Sequence, residues 1–143
     1  MNLGLYSETA RRNIAAAQNF AAERGYDATA GNIRQCRQQF MSPDQNTNFQ
    51  ETLSASDFYS MSTCRDLLFH AQEHRMTLPA IEAFLQGNGL RFLGFEIDRP
   101  VLRAYRQRFP DDPGAANLGN WHTFENENPS TFANMYQFWI QKA

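Results

Sequence analysis

Three residues of the sequence, His70, Glu73 and His74, have types and a spacing that can support metal chemistry. They form the pattern H-x-x-E-H, and on a helix the two histidines, four residues apart, lie on one face. Two such histidines can hold one zinc ion while the glutamate activates a bound water. A catalytic zinc also needs a third protein ligand, and Asp66, one helical turn before His70, is a conceivable one. The pattern raises the hypothesis of a zinc hydrolase, against that of a helix whose histidines only hydrogen-bond neighbouring loops.

Composition and charge narrow the classes of protein that the sequence can encode. The 143 residues fit one domain, and a net charge of -2 provides no electrostatic footprint for nucleic acid. The two cysteines, Cys36 and Cys64, fall short of a disulfide framework and are predicted to be buried thiols in a reduced compartment. The sequence shows no secretion signal and no long apolar stretch, so we expect a cytoplasmic protein with no nucleic-acid or membrane partner.

Three apolar segments are predicted to be strands, and the stretches between them are predicted to be helical. The predicted strands are residues 3–6, 90–97 and 135–142. The predicted helices are residues 7–24, a stretch after Thr29, residues 49–53 and 64–75, a stretch between Thr77 and Gly87, and residues 98–109 and 118–125. The strand at 90–97 is apolar enough to be covered on both faces of a sheet. The alternation favours an α/β layer.

Tyr6 and Ser7 lie at the end of the first predicted strand. In open α/β sheets ligands bind beyond the carboxyl ends of the strands, so both are candidate substrate-binding residues. The alternative is that Ser7 only caps its helix while Tyr6 packs beneath it. The sequence contains no G-x-G-x-x-G turn and no Walker lysine loop, so no nucleotide site is predicted.

Four separated segments resemble one protein family in the same order along the chain. They are LGLYSETAR, STCRDLLFHAQEHRMTLPAIEAFLQGNGLRFLGFE, VLRAYRQRFPDDP and WHTFENENPSTFANMYQFWIQK. Together they are similar to the C-terminal part of bacterial class I S-adenosylmethionine-dependent methyltransferases, many of which carry tetratricopeptide repeats further upstream. The resemblance covers nearly the whole chain and implies no particular methyl acceptor.

The resemblance implies an α/β, helix-rich fold, namely the incomplete back half of a doubly wound methyltransferase sheet with about three strands, the last antiparallel. Residues 1–143 would form a single C-terminal region, with a strand and helix in 1–26, a helical insertion in 27–89, and a strand, helices and terminal strand in 90–143. In the family, the glycine loop and the acidic residue that bind the cofactor precede the part that this sequence matches. S-adenosylmethionine is therefore the cofactor of the full-length family, and none is expected to bind this chain alone.

The resemblance also implies roles for the segment that contains the two histidines. Arg65, His70 and His74 would face a methyl-acceptor pocket, where Arg65 binds the acceptor and His70 or His74 removes its proton. The alternatives are the zinc site and a plain scaffold helix. Of these, we expect a substrate-side or scaffold helix rather than a metal site.

Two functions from different classes stay open. In the first, the chain is the substrate-side portion of a methyltransferase, inactive alone, whose partner is the missing N-terminal half. In the second, it is a non-catalytic helical protein-interaction module that works without a cofactor. In both, the first strand exposes an unpaired edge, so we expect association with the missing half or self-association.

Overall fold

The computed structural model describes residues 1–69, 73–133 and 135–143. In these residues the chain is an α/β protein with seven α-helices, one 3-10 helix and a four-stranded mixed sheet. It divides into two compact units. The sheet unit comprises Met1–Arg11 and His74–Ala143, and the helical unit comprises Arg12–Glu73. The predicted single region, with divisions after residues 26 and 89, stays a prediction.

The four strands share one sheet. They are β1 (Asn2–Ser7), β2 (Arg75–Met76), β3 (Leu90–Phe95) and β4 (Met135–Lys142). Their spatial order is β2-β1-β4-β3. β4 is antiparallel to both of its neighbours, with Leu3 opposite Phe138 and Phe92 opposite Ile140, whereas β2 runs parallel to β1. The three predicted strands are confirmed, and β2 is an additional strand that the sequence patterns did not predict.

The helices account for most of the remaining described residues. They are α1 (Arg12–Glu23), α2 (Ala30–Met41), α3 (Gln50–Ser54), the 3-10 helix Ser56–Phe58, α4 (Met61–Phe69), α5 (Leu78–Gly87), α6 (Arg99–Arg108) and α7 (Leu118–Glu127). Within the described ranges, no helix has the length and apolar character needed to cross a bilayer.

The core of the sheet unit lies between one face of the sheet and helices α5 to α7. Along β4, Tyr136, Phe138 and Ile140 are buried while the residues between them are exposed, which is the period of a strand with one covered face. Trp121 of α7 stacks on Tyr105 of α6 with ring centroids 3.8 Å apart. The Trp121 ring also meets that of Phe95 of β3, with centroids 5.3 Å apart, so aromatic contacts join the helix layer to the sheet.

The opposite face of the sheet is more exposed than the sequence predicts. Leu93 of β3 and Trp139 of β4 expose 43% and 45% of their surface. The prediction that residues 90–97 are covered on both faces is therefore wrong. Leu90, Phe92 and Phe95 pack against the core, whereas Leu93 lies at a β-bulge between Phe92 and Gly94 and is exposed.

The helical unit has an apolar core of its own, rich in aromatic rings. Ring centroids of neighbouring phenylalanines lie 4.6 to 6.0 Å apart among Phe20, Phe40, Phe49 and Phe58. Cys36 and Cys64 are buried free thiols in this core, as predicted. Burial, with the second cysteine nearby, raises the pKa of Cys36 to about 12, so this thiol stays protonated and unreactive.

The helix predicted over residues 64–75 differs from α4 at both ends. α4 begins three residues earlier, at Met61, and ends at Phe69. His70 lies outside the described residues, and Glu73 and His74 are not helical. Arg75 belongs to β2 instead, because its backbone pairs with Tyr6 of β1. The prediction of one continuous helix through Arg75 is therefore wrong.

Two predicted helix starts depend on side-chain caps, and only one of them behaves as expected. Thr77 Oγ1 accepts a hydrogen bond from the Ala80 N–H at 3.3 Å, which confirms Thr77 as the N-cap of α5. Ser7 Oγ accepts from the Ala10 N–H at 3.0 Å, but residues 8–11 form turns and α1 begins only at Arg12. Ser7 therefore closes a turn at the end of β1 and does not start the helix directly.

Candidate functional site at the carboxyl edge of the sheet

Strand direction defines one edge of the sheet as the candidate site. β1 and β2 are parallel, and β1 and β3 share a direction because both are antiparallel to β4. Their carboxyl ends therefore meet at one edge, together with the amino end of β4. Ligands of open α/β sheets bind beyond the carboxyl ends of the strands, so this edge is where a substrate is expected.

A buried polar network lies at this edge where β1 ends. Ser7 Oγ donates a hydrogen bond to Oε1 of Glu125 at 2.5 Å, and the Tyr136 hydroxyl donates to the same carboxylate, 2.8 Å from Oε2. All three residues are fully buried. Because they come from β1, α7 and β4, the network joins a helix to two adjacent strands.

Burial controls the protonation of this network. Loss of solvent raises the pKa of Glu125, although the hydroxyl groups of Ser7 and Tyr136 and the nearby His122 oppose the shift. Burial also raises the pKa of Tyr136, so its phenol stays protonated and acts as a donor. Nδ1 of His122, one turn before Glu125 on α7, is buried and has no hydrogen-bond partner among the described residues. The network can position backbone and helix, but its buried carboxylate cannot touch a substrate.

A small crevice lies at the same edge where β3 ends. Its volume is about 250 Å³, and its lining residues are Glu96, Ile97, Asp98, Thr131, Phe132, Ala133, Met135 and Gln137. Two carboxylates, a hydroxyl and an amide give it groups that accept hydrogen bonds. Glu96 is oriented by Trp139, whose indole Nε1 donates to Oε1 of Glu96 at 2.8 Å. The crevice can bind a polar or cationic group.

The backbone at this crevice is locally strained. Ala133 has a φ of 45°, a left-handed conformation that alanine adopts rarely. Such conformations cost of order 1–3 kcal/mol and are found preferentially at functional sites. The turn that precedes β4 therefore carries local backbone strain beside the crevice.

The predicted site residues have different positions. Tyr6 is half-buried, with the Arg11 guanidinium 4.6 Å from the centre of its ring, and Ser7 belongs to the buried network. His74 precedes β2, whose carboxyl end lies at the candidate edge. Arg65 belongs to the helical unit, where its Nε donates to the Ala28 carbonyl at 3.1 Å. The structure brings Tyr6 and Ser7 to the edge, and the substrate-binding and catalytic roles of these residues stay predictions.

The zinc hypothesis lacks the helical spacing that motivated it. His74 is not on a helix, and His70 lies outside the described residues, so the pairing of the two histidines stays a hypothesis. Among the residues that the structure describes, no three side chains of His, Cys, Asp or Glu are grouped so that they could hold a metal ion.

Sequence reasoning missed Glu125 and the crevice at the end of β3. Glu125 follows Leu118 and Trp121 at the spacing of one helical face, and an acidic residue on an apolar face is a signal of a buried network. The crevice has no comparable signal, because its residues come from two separate segments around β3 and β4. A comparison of the sequence with protein-family models and with curated proteins finds no match.

Proposed function

We propose that the chain is the substrate-side C-terminal portion of an S-adenosylmethionine-dependent methyltransferase. The observation that carries the proposal is the direction of the last strand. β4 runs antiparallel to both β1 and β3, as the family resemblance implies for the terminal strand. The carboxyl ends of β1 and β3 then form the edge at which a doubly wound sheet binds ligands.

In this proposal the crevice beyond β3 receives part of the methyl acceptor. Glu96, Asp98 and Gln137 supply acceptors for hydrogen bonds, which favour an acceptor that presents N–H or cationic groups. The buried network of Ser7, Glu125 and Tyr136 keeps α7 and the strand ends in place. His70 and His74 stay the proposed groups for removing a proton from the acceptor.

The proposal leaves cofactor binding to residues outside these 143. The sequence has no glycine-rich loop after a strand, and the backbone N–H groups of such a loop are what hold a cofactor in related sheets. We therefore expect calorimetric titration of the purified chain with S-adenosylmethionine to give no binding heat. A micromolar dissociation constant for this chain would contradict the proposal that residues outside these 143 bind the cofactor.

The complete reading frame provides the direct test. If the DNA upstream of the Met1 codon encodes, in the same frame, a strand followed by a glycine-rich loop, the full-length product should bind S-adenosylmethionine. Co-expression of that upstream segment with the 143 residues should then yield a complex that binds the cofactor. An upstream sequence without any such loop would remove the basis of the methyltransferase proposal.

One observation favours the second candidate, a helical interaction module. Arg12–Glu73 is a compact unit with its own buried aromatic core, and it includes the exposed Tyr59 and Met41. A unit of this kind can serve as a docking module without any cofactor. The same upstream sequence distinguishes the two candidates, because an interaction module requires no glycine loop.

A further inference from the structure

Helix α6 concentrates positive charge in a chain that is otherwise acidic. It contains four arginines and no acidic residue, although the whole chain has a net charge of -2. The four are Arg99, Arg103, Arg106 and Arg108. A local excess of one charge on an exposed helix face raises the electrostatic potential there and attracts groups of opposite charge.

The two arginines at the C-terminal end of α6 have partners within the fold. Arg106 Nε donates to the Pro113 carbonyl at 3.0 Å. Arg108 forms a forked pair with Glu127, with nitrogen–oxygen distances of 2.9 and 3.2 Å. Both also lie in the last turn of α6, where a positive charge interacts favourably with the helix dipole. Contacts within the fold therefore account for Arg106 and Arg108.

The two arginines in the N-terminal half of α6 have no such explanation. Arg99 occupies the first helical position, where a cation opposes the helix dipole, and the first turn contains no acidic residue. Arg99 and Arg103 are both exposed, and in the described residues neither pairs with a carboxylate. Within the described residues, no ion pair therefore neutralises these two charges.

These charges line a shallow groove along α6. The groove has a volume of about 470 Å³ and is lined by Arg99, Leu102, Arg103, Arg106 and Gln107. Leu102 packs partly against the core and forms an apolar floor between the arginines. The Arg106 guanidinium is already held by Pro113, and it retains further donors for a second partner.

We propose that this face of α6 docks an amphipathic acidic helix of a partner protein. Arg99, Arg103 and Arg106 follow the spacing i, i+4 and i+7, which spans about 10.5 Å along a helix. Carboxylates at the same spacing on a second helix meet these guanidinium groups, which bind carboxylates through paired hydrogen bonds. An apolar side chain between those carboxylates covers Leu102.

Nucleic acid fits this surface less well. Phosphates need no apolar floor, and three arginines on one helix provide few phosphate contacts. The acidic remainder of the chain also repels a polyanion. The mixture of charge and apolar surface is that of a helix-in-groove interaction.

The test uses the 143-residue chain and two synthetic peptides in fluorescence anisotropy. The first peptide is helical, with glutamates at positions i, i+4 and i+7 and leucines between them; the second has the same composition in scrambled order. We expect the patterned peptide to bind at least about tenfold more tightly, and Arg99→Glu combined with Arg103→Glu to weaken that binding at least about tenfold. The matched control, Arg12→Glu with Arg34→Glu, reverses two exposed helical arginines elsewhere and should change affinity less than about twofold.

Thermal melting by circular dichroism identifies any variant that fails to fold, in which case the milder Arg103→Gln replaces the double reversal. The proposal is overturned by failure of the patterned peptide to bind, by equal binding of both peptides, or by equal loss in the control. Binding of a duplex DNA oligonucleotide as tight as that of the patterned peptide would also overturn it, because the surface would then be a general polyanion site.

Discussion

At the scale of single residues, the Tyr136 hydroxyl is the simplest probe of the buried network. Replacing Tyr136 by Phe removes one donor and leaves the buried Glu125 carboxylate with a lost hydrogen bond. We expect Tyr136→Phe to lower the free energy of unfolding by about 1–3 kcal/mol, measured by urea denaturation. Tyr59→Phe removes an equivalent hydroxyl hydrogen bond, to the Leu53 carbonyl, at a site that is 55% exposed. If both variants lost the same free energy of unfolding, burial of the network would not strengthen its hydrogen bonds.

Glu125 should also make stability depend on pH. Its pKa is raised in the folded chain, so the folded state binds more protons than the unfolded state between the ordinary and the raised pKa. The stability that this proton contributes is therefore fullest below the ordinary glutamate pKa and is lost as pH rises through the raised one. We expect the free energy of unfolding of the wild type, relative to Glu125→Gln, to decrease with rising pH across this window, measured by urea denaturation at a series of pH values.

Asp112 provides a control of opposite sign for that experiment. Burial alone would raise the pKa of Asp112, but hydrogen bonds from Tyr105 and from the N–H groups of Asn117 and Ala116 lower it overall. Its contribution is present above the ordinary aspartate pKa and is lost as pH falls through the lowered one. In the wild type, protonation of Asp112 at acid pH should therefore lower the free energy of unfolding. Asp112→Asn should abolish this decrease. The free energy of unfolding of the wild type, relative to each variant, should change with pH in opposite directions for Glu125→Gln and Asp112→Asn. A change in the same direction for both would contradict the assignment for Glu125.

At the scale of elements, the helix caps separate two positions that look alike in sequence. Thr77 and Thr29 both occupy N-cap positions, but only the Thr77 side chain accepts a hydrogen bond from its helix. We expect Thr77→Ala to cost about 1 kcal/mol in thermal or chemical unfolding. Thr77→Ser keeps the hydroxyl and should retain most of that stability, and equal losses for Thr77→Ala and Thr77→Ser would contradict the cap assignment.

Local patterns predicted the elements that are stabilised locally. Helix α5 was predictable because Thr77 and the glycines that end the helix lie in one short segment, and β4 because its alternation is strong. The end of α4 and the existence of β2 were not, because Arg75 is extended through backbone pairing with Tyr6, far away in sequence. The same limit applies to the candidate site. Tyr6 and Ser7 end a recognisable strand, whereas Glu125 and Gln137 reach the edge only through the packing of α7 and β4.

At the scale of the whole molecule, the sheet has an incompletely paired side. β2 covers β1 only at Tyr6 and Ser7, and Leu93 and Trp139 are two large apolar side chains exposed on the sheet. Open edges and apolar patches favour association. We expect the weight-average mass in sedimentation equilibrium to rise with protein concentration, and Trp139→Gln to reduce that rise. A monomer at all concentrations, with a sharp two-state melt, would instead indicate a self-sufficient domain.

The order of strands in space also has a consequence for synthesis. β4 is the last of the four strands along the chain, yet it lies between β1 and β3 in the sheet. On the ribosome, β1 and β3 therefore emerge without the neighbour that both require, and neither can complete its hydrogen bonding early. Until Met135–Lys142 leaves the exit tunnel, the facing edges of β1 and β3 are open, and the two ladders that β4 completes are absent. We expect chaperones that shield unpaired strands to bind the nascent chain until β4 has paired with both neighbours.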